Sequence, residues 1–115
     1  MMHIFEEFDQ TGLDALEAED FCEFDGMLFR KASFTQDAIQ KLIAQGIPAE
    51  IIQTRTNHQS LISYGGSMEQ QRDAASRITT AWLKTVADMF PKLYPIVIVE
   101  TSPKEVLVSI RAIAR

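Results

Sequence analysis

Three residues, His3, Cys22 and His58, are the scarce side chains that could serve as nucleophile, general base or metal ligand. Cys22 lies between Asp20 and Glu23, and their negative charges would raise the pKa of the thiol and disfavour the reactive thiolate. The two histidines and the cysteine also lack the paired spacing of a zinc site. The sequence therefore predicts no metal, no cofactor and no catalytic residue.

Two segments resemble ion-binding or phosphate-binding loops. In the run DFCEFDG, Asp25-Gly26 would take the fifth and sixth positions of a calcium loop. Phe21 and Ala32 then fall at the first and twelfth positions, where carboxylates are required, so a calcium loop is excluded. Gly65-Gly66-Ser67 could offer backbone N–H groups to an anion, but a glycine-rich helix cap explains the same residues and is favoured. No P-loop, GxSxG or dinucleotide-binding motif is present.

An enzymatic site assembled from scattered residues remains a weaker alternative, with His58, Tyr64 and Arg55 as its members. Nucleic-acid binding is disfavoured for a different reason. The basic residues are scattered, and the aromatic pair on which RNA-binding sheets stack bases is missing. We therefore expect a non-enzymatic protein that does not bind nucleic acid.

The charge is distributed unevenly along the chain. Residues 1–25 hold nine acidic residues and no Lys or Arg, whereas the remaining residues carry a formal charge of +4 within a total of −5. Such a segment suits docking on a basic surface, either of a partner or of the protein's own body; the alternative is a solvated face. The most concrete function of this kind is that of an inhibitor or immunity protein for a toxin or a nucleic-acid-acting enzyme. The expected partner-binding residues are Glu6, Glu7, Asp9, Glu17, Asp20 and Glu23.

The acidic segment also carries apolar residues at near-helical spacing, including Leu13, Leu16 and Phe24. This pattern predicts a helix over residues 12–23 that packs by its apolar side and leaves the acids outward. A disordered acidic tail would be poor in aromatic residues, so the segment is expected to be ordered.

The body, residues 26–115, reads as alternating strands and helices. The predicted strands are 27–33, 49–56, 60–64, 96–101 and 105–111, and the predicted helices are 35–46 and 67–90. Residues 51–56 and 60–64 form a candidate hairpin across Asn57-His58. In the long helix, Ser67 and Gln70 form a capping box and Trp82 belongs to the core.

This β-α-β-β-α-β-β order predicts an α+β fold, a ferredoxin-like two-layer sandwich with two helices on one face of an antiparallel sheet. The last two strands contain IVIVE and VLVSI, which are apolar on both faces. A sheet with one wet face should alternate, so something should cover the second face. The acidic segment could cover it with its phenylalanines, or a second copy could. A self-assembling or small-ligand-binding module, including a homodimer, is therefore the alternative function.

A resemblance to a known family spans residues 27–98. Ala32-Ser33-Phe34, Gly46-Ile47-Pro48-Ala49 and Gly65-Gly66-Ser67 occupy the places of characteristic elements in a SPOR repeat, the peptidoglycan-binding module. The resemblance implies a ferredoxin-like βαββαβ fold, and we take it as support for the fold.

Length and composition favour one domain over residues 1–115, because 115 residues with 46% hydrophobic content can bury a core. No apolar run reaches the roughly 18 residues of a membrane span. The start MMHIFEEFDQ has no basic and apolar signal regions. A single cysteine fits a reducing compartment, so a cytoplasmic location is expected.

Overall fold

The computed structural model describes residues 8–115, which fold into helices and antiparallel strands. The α+β class predicted from the sequence is confirmed. The helices are α1 (Gln10–Glu17), α2 (Gln36–Ala44), α3 (Ala49–Asn57) and α4 (Met68–Met89). The strands are β1 (Phe21–Phe24), β2 (Met27–Arg30), β3 (Gln59–Ser60), β4 (Leu93–Thr101) and β5 (Val106–Ala114). Short 3₁₀ turns cover Lys31–Ser33 and Leu61–Tyr64.

The strands form two sheets rather than the single predicted sheet. β1 and β2 make an antiparallel hairpin, and the other sheet has the order β3-β5-β4. In this second sheet β5 is central, and Val97 of β4 lies opposite Ile110. The ferredoxin-like order is therefore not confirmed, although the β4–β5 hairpin and its loop lie where the sequence predicted them.

The long helix α4 supplies the main core, as predicted. Its capping box is formed: the Ser67 amide donates to Gln70 Oε1 at 2.8 Å, and the Gln70 amide donates to Ser67 Oγ at 3.1 Å. Trp82 is fully buried and meets Phe21 edge to face at 5.7 Å. Its indole N–H donates to the Leu16 carbonyl at 2.8 Å, so a buried polar atom of the core has a partner.

The predicted helix over 12–23 is wrong in its second half. α1 ends at Glu17, and the four residues after Asp20 form β1, which pairs with β2. Asp25 and Gly26 both have positive φ, 56° and 80°, as the tight turn of a hairpin requires. A DG pair flanked by apolar residues is itself a hairpin signal, so this strand was detectable from the sequence.

The predicted strand 49–56 is also wrong, because these residues form α3. Consequently the candidate hairpin across Asn57-His58 does not form, and residues 60–64 are largely a 3₁₀ turn. Pro48 takes the N-cap position of α3, where its missing N–H costs nothing. The helix buries Ile52, Gln53 and Asn57, so its inner side carries two amides that need partners.

Those two amides join the sheets, and we call Gln53 and Asn57 the amide seam. Gln53 Oε1 accepts from the amides of Leu28 in β2 and Ala112 in β5, at 3.0 and 2.8 Å. Asn57 Nδ2 donates to the carbonyls of Leu28 and Ile110, each at 2.8 Å. Side chains of one helix thus replace the backbone ladder that would otherwise link β2 to β5.

The two faces of the β3-β5-β4 sheet are covered differently. α4 covers one face, with Val106, Val108 and Ile110 in its core cluster. On the outer face, α3 packs against β5, where Ser109 Oγ donates to the Thr54 carbonyl at 2.7 Å, whereas β2 is joined to the edge of β5 through the amide seam. Of the two covers considered for the second face, the acidic segment does not provide one through α1, because α1 packs against α4. Within residues 8–115, no helix is long and apolar enough to cross a membrane.

Candidate functional site

The predicted partner-binding acids fall into three groups. Glu6 and Glu7 lie outside the described residues. Asp9, Asp20 and Glu23 are exposed, at the start of α1, before β1 and within β1. The carboxylate of Asp9 also accepts from the Gly12 amide at 2.9 Å and so caps α1. These three carboxylates project from ordered elements.

The other acids turn back onto the body. Glu17 pairs with Arg77 of α4 at 2.9 Å, and both side chains are partly exposed. Glu19, which was not among the predicted residues, pairs with Arg30 at 2.6 Å and is mostly buried. In the described part of the acidic segment, some carboxylates therefore face outward, and others pair with basic residues of the body.

Arg30, the partner of Glu19, is a buried side chain with several further contacts. Besides Glu19, its guanidinium donates to the Asn57 carbonyl at 3.3 Å and reaches Gln59 Oε1 at 3.4 Å. It also lies over the Trp82 ring, 5.5 Å from the ring centroid. This combination of ion pair, hydrogen bonds and aromatic face satisfies a buried cation. Arg30 and Glu19 therefore act as structural residues.

Cys22 is half-buried beside the small core under the β1–β2 hairpin. Burial raises the pKa of its thiol, and the nearby Lys31 ammonium opposes part of that rise. The direction agrees with the sequence prediction, but its cause is desolvation rather than the neighbouring carboxylates. A raised pKa disfavours thiolate, so this side chain is poorly suited to nucleophilic chemistry.

A groove lies between α3 and the outer face of the β4–β5 hairpin, with a cavity volume of about 420 Å³. Ile98 and Leu107 form its apolar floor, while Arg55, His58 and Glu100 contribute charged or titratable groups. His58 Nδ1 lies 2.9 Å from the Arg55 carbonyl oxygen. The sequence missed this groove because the segment that forms one wall was predicted to be a strand.

The weaker enzymatic combination is only partly assembled. Arg55 and His58 share the groove, but Tyr64 is not one of its lining residues. Tyr64 instead packs beside α1, where its carbonyl accepts from the Asp9 amide at 2.7 Å. The structure therefore brings together two of the three residues.

The Gly65-Gly66-Ser67 loop is a helix cap, as favoured from the sequence. Both glycines have positive φ, and a Cβ added to Gly66 would lie 2.6 Å from the ring of Phe8. The positive φ and the close packing of Phe8 account for glycine at position 66. Among residues 8–115, no group of three or more His, Cys, Asp or Glu side chains could hold a metal ion.

Comparison with protein-family models, curated proteins and solved structures found no significant match. The resemblance to the SPOR family accordingly stays a prediction. Functional inference for this chain depends on its surfaces.

Proposed function

We propose that this is a protein-binding protein whose acidic segment docks on a basic surface of another protein. The observation that carries the proposal is the sequence of residues 1–25, with nine acids and no base. An inhibitor or immunity protein for a toxin or a nucleic-acid-acting enzyme is its concrete form. Such targets bind phosphate through Lys and Arg, which carboxylates can neutralise and cover. The single cysteine favours a cytoplasmic setting.

The arrangement of the exposed acids supports this proposal. Asp9, Asp20 and Glu23 are attached to α1 and the β1–β2 hairpin, whose core side is fixed by Leu13, Phe21 and their neighbours. Carboxylates on an ordered frame lose less conformational freedom on binding than those on a flexible tail. Fixed charges of one sign also accelerate encounter with an oppositely charged partner.

A charge-reversal experiment tests the docking proposal. Asp20→Lys with Glu23→Lys reverses two exposed acids of the segment. Asp37→Lys with Asp73→Lys makes the same change of net charge at exposed positions elsewhere. Circular dichroism first establishes that both variants remain folded.

Wild type and both variants are then used to capture proteins from the native lysate. The proposal expects a basic protein that binds wild type and the control pair, is released by salt, and is lost with the segment variant. Inhibition of that protein's own activity by wild type would support the inhibitor form. Equal capture by all three baits would contradict docking through the segment.

The groove between α3 and the β4–β5 hairpin favours a second candidate, binding of a small amphipathic ligand. Its apolar floor and the Arg55 guanidinium at its rim suit an aromatic or aliphatic carboxylate. Ile98 lines the groove, whereas its neighbour Val99 points to the other side of β4. Thermal stabilisation by a panel of such carboxylates should therefore disappear in Ile98→Asp and persist in Val99→Asp. Absence of any stabilisation of wild type would contradict this candidate.

A further inference from the structure

The open edge of β4 can be assigned from two hydrogen bonds at the ends of the β4–β5 hairpin. The Arg115 amide donates to the Lys92 carbonyl, and the Ser102 amide donates to the Glu105 carbonyl, each at 2.9 Å. Backbone groups of an antiparallel strand point alternately to its two sides. Even-numbered residues of β4 therefore bond to β5, and odd-numbered residues present their N–H and C=O groups at the open edge. Among residues 8–115, no strand pairs with this edge.

Donors and acceptors are divided along this edge. In the first half, Pro95 has no N–H, and the Leu93 amide already donates to the Phe90 carbonyl at 2.9 Å. This half therefore offers acceptors only. In the second half, Val97, Val99 and Thr101 each offer a donor as well as an acceptor. An antiparallel partner strand would match this edge if its donors faced the first half of β4 and its acceptors faced the second half.

Side chains near the edge are apolar and exposed. Tyr94 and Val99 of β4 are 53% and 45% exposed. Leu93–Val99 contains no charged residue, and a proline is its only blunting feature. Soluble proteins usually protect a long edge strand with lysines, bulges or a covering element. An edge with this composition is typical of a pairing surface.

We propose that a second copy of this chain pairs with β4, antiparallel and with the two-fold axis at Val97. The two Val97 residues then exchange amide–carbonyl bonds. The Val99 amide faces the Pro95 carbonyl of the second copy, and the Thr101 amide faces its Leu93 carbonyl. All three donors of each copy are used, and the two three-stranded sheets become one continuous sheet.

The charges near the edge complement one another in this register. Glu100 lies opposite Tyr94 of the second copy, and Arg115 lies over the Tyr94 ring at 5.4 Å in each copy. Lys92 is the diagonal neighbour of that position. Each Glu100 therefore meets two cations, and the contact occurs twice because the pairing is symmetric.

The α4 side of the edge leaves room for a partner strand. Beside Val99 and Thr101 lies a groove of about 450 Å³, and short side chains of α4 such as Ala75, Ser76 and Thr79 line it. This interface lies on β4, whereas the described docking acids lie between Asp9 and Glu23, in or beside α1 and β1. The dimer proposal is therefore independent of the docking proposal.

Sedimentation equilibrium of the full chain over a concentration series tests the dimer. Wild type should approach twice the 13.0 kDa monomer mass. Glu100→Lys should weaken association by about tenfold or more, because it places like charges together at two symmetric positions. The double variant Lys92→Glu with Arg115→Glu should weaken it similarly. Asp73→Lys, exposed on α4, is the matched charge control and should behave as wild type.

A mixture of the two weakened variants gives the sharpest test. In the heterodimer every reversed charge faces an opposite one, so mixing should restore association. Val99→Pro removes an edge donor without removing a β4–β5 bond and should weaken the dimer without unfolding the chain. In the wild-type dimer the amides of Val97, Val99 and Thr101 should be protected from hydrogen exchange.

Three results would overturn the proposal. The first is a wild-type chain that is monomeric at all concentrations, whether or not another protein pairs with the open edge of β4. The second is a dimer that is insensitive to Glu100→Lys and Val99→Pro. The third is a dimer in which mixing the two charge variants does not restore association.

Discussion

Replacing Gln53 by leucine should show how much of the fold depends on the amide seam. Gln53 is 2% exposed. Its Oε1 accepts from the amides of Leu28 and Ala112, and its Nε2 donates to the Ala112 carbonyl at 3.3 Å. Leucine has a similar volume but no polar atom. Gln53→Leu therefore leaves three buried backbone groups without a partner.

The expected cost follows from those three groups. An unsatisfied buried donor or acceptor costs about 1–3 kcal/mol, so the variant should lose at least about 3 kcal/mol of unfolding free energy. In urea denaturation this corresponds to a midpoint lowered by about 1–3 M. The matched control is Gln40→Leu, the same substitution at an exposed position of α2, which should stay within about 0.5 kcal/mol of wild type.

The comparison between the two variants decides the argument. If Gln53→Leu and Gln40→Leu unfold at the same urea concentration, the amide seam does not hold the sheets together. If Gln53→Leu does not fold, Gln53→Glu becomes the informative variant, because it keeps an acceptor for the Leu28 and Ala112 amides. It replaces the donor with a second acceptor oxygen and adds a buried charge, both of which are destabilising. It should then be less stable than wild type and still fold.

Three further experiments test other contacts. Glu19→Ala should lower the unfolding free energy by about 3 kcal/mol in urea denaturation, because it leaves the buried Arg30 without its ion-pair partner. Glu17→Ala should lower it by under about 1 kcal/mol, because the ion pair of Glu17 is exposed. The raised pKa of Cys22 should make iodoacetamide alkylation slower than that of a free cysteine near neutral pH, with a rate that still increases at alkaline pH; a faster reaction would contradict the burial argument. Gly26→Ala should cost about 1 kcal/mol in thermal unfolding, because φ is +80° there.

Local patterns predicted the parts of the fold that depend on local interactions. The α4 capping box needs only Ser67 and Gln70 at the right spacing, and the β4–β5 hairpin needs two β-branched runs around Ser102. Both were identified from the sequence. The exposed position of Asp20 and Glu23 also follows from their polarity alone.

Nonlocal partners explain what the sequence did not reveal. Residues 49–56 contain β-branched side chains that favour a strand, but Gln53 and Asn57 find their partners on β2 and β5 only if the segment is helical. No local sequence pattern indicates that a side-chain amide will form the hydrogen bonds of a distant strand's backbone. The groove beside α3 was missed for the same reason.

The central position of β5 has a consequence for how the chain folds. This strand is the last element in chain order, yet it contacts α3, α4, β2, β3 and β4. The earlier elements therefore lack their main partner until distant parts of the chain meet. A large loop-closure entropy is lost before these contacts form, so the chain should fold more slowly than a helical bundle of the same size. For the same reason the described domain should unfold in one cooperative step, without a stable half.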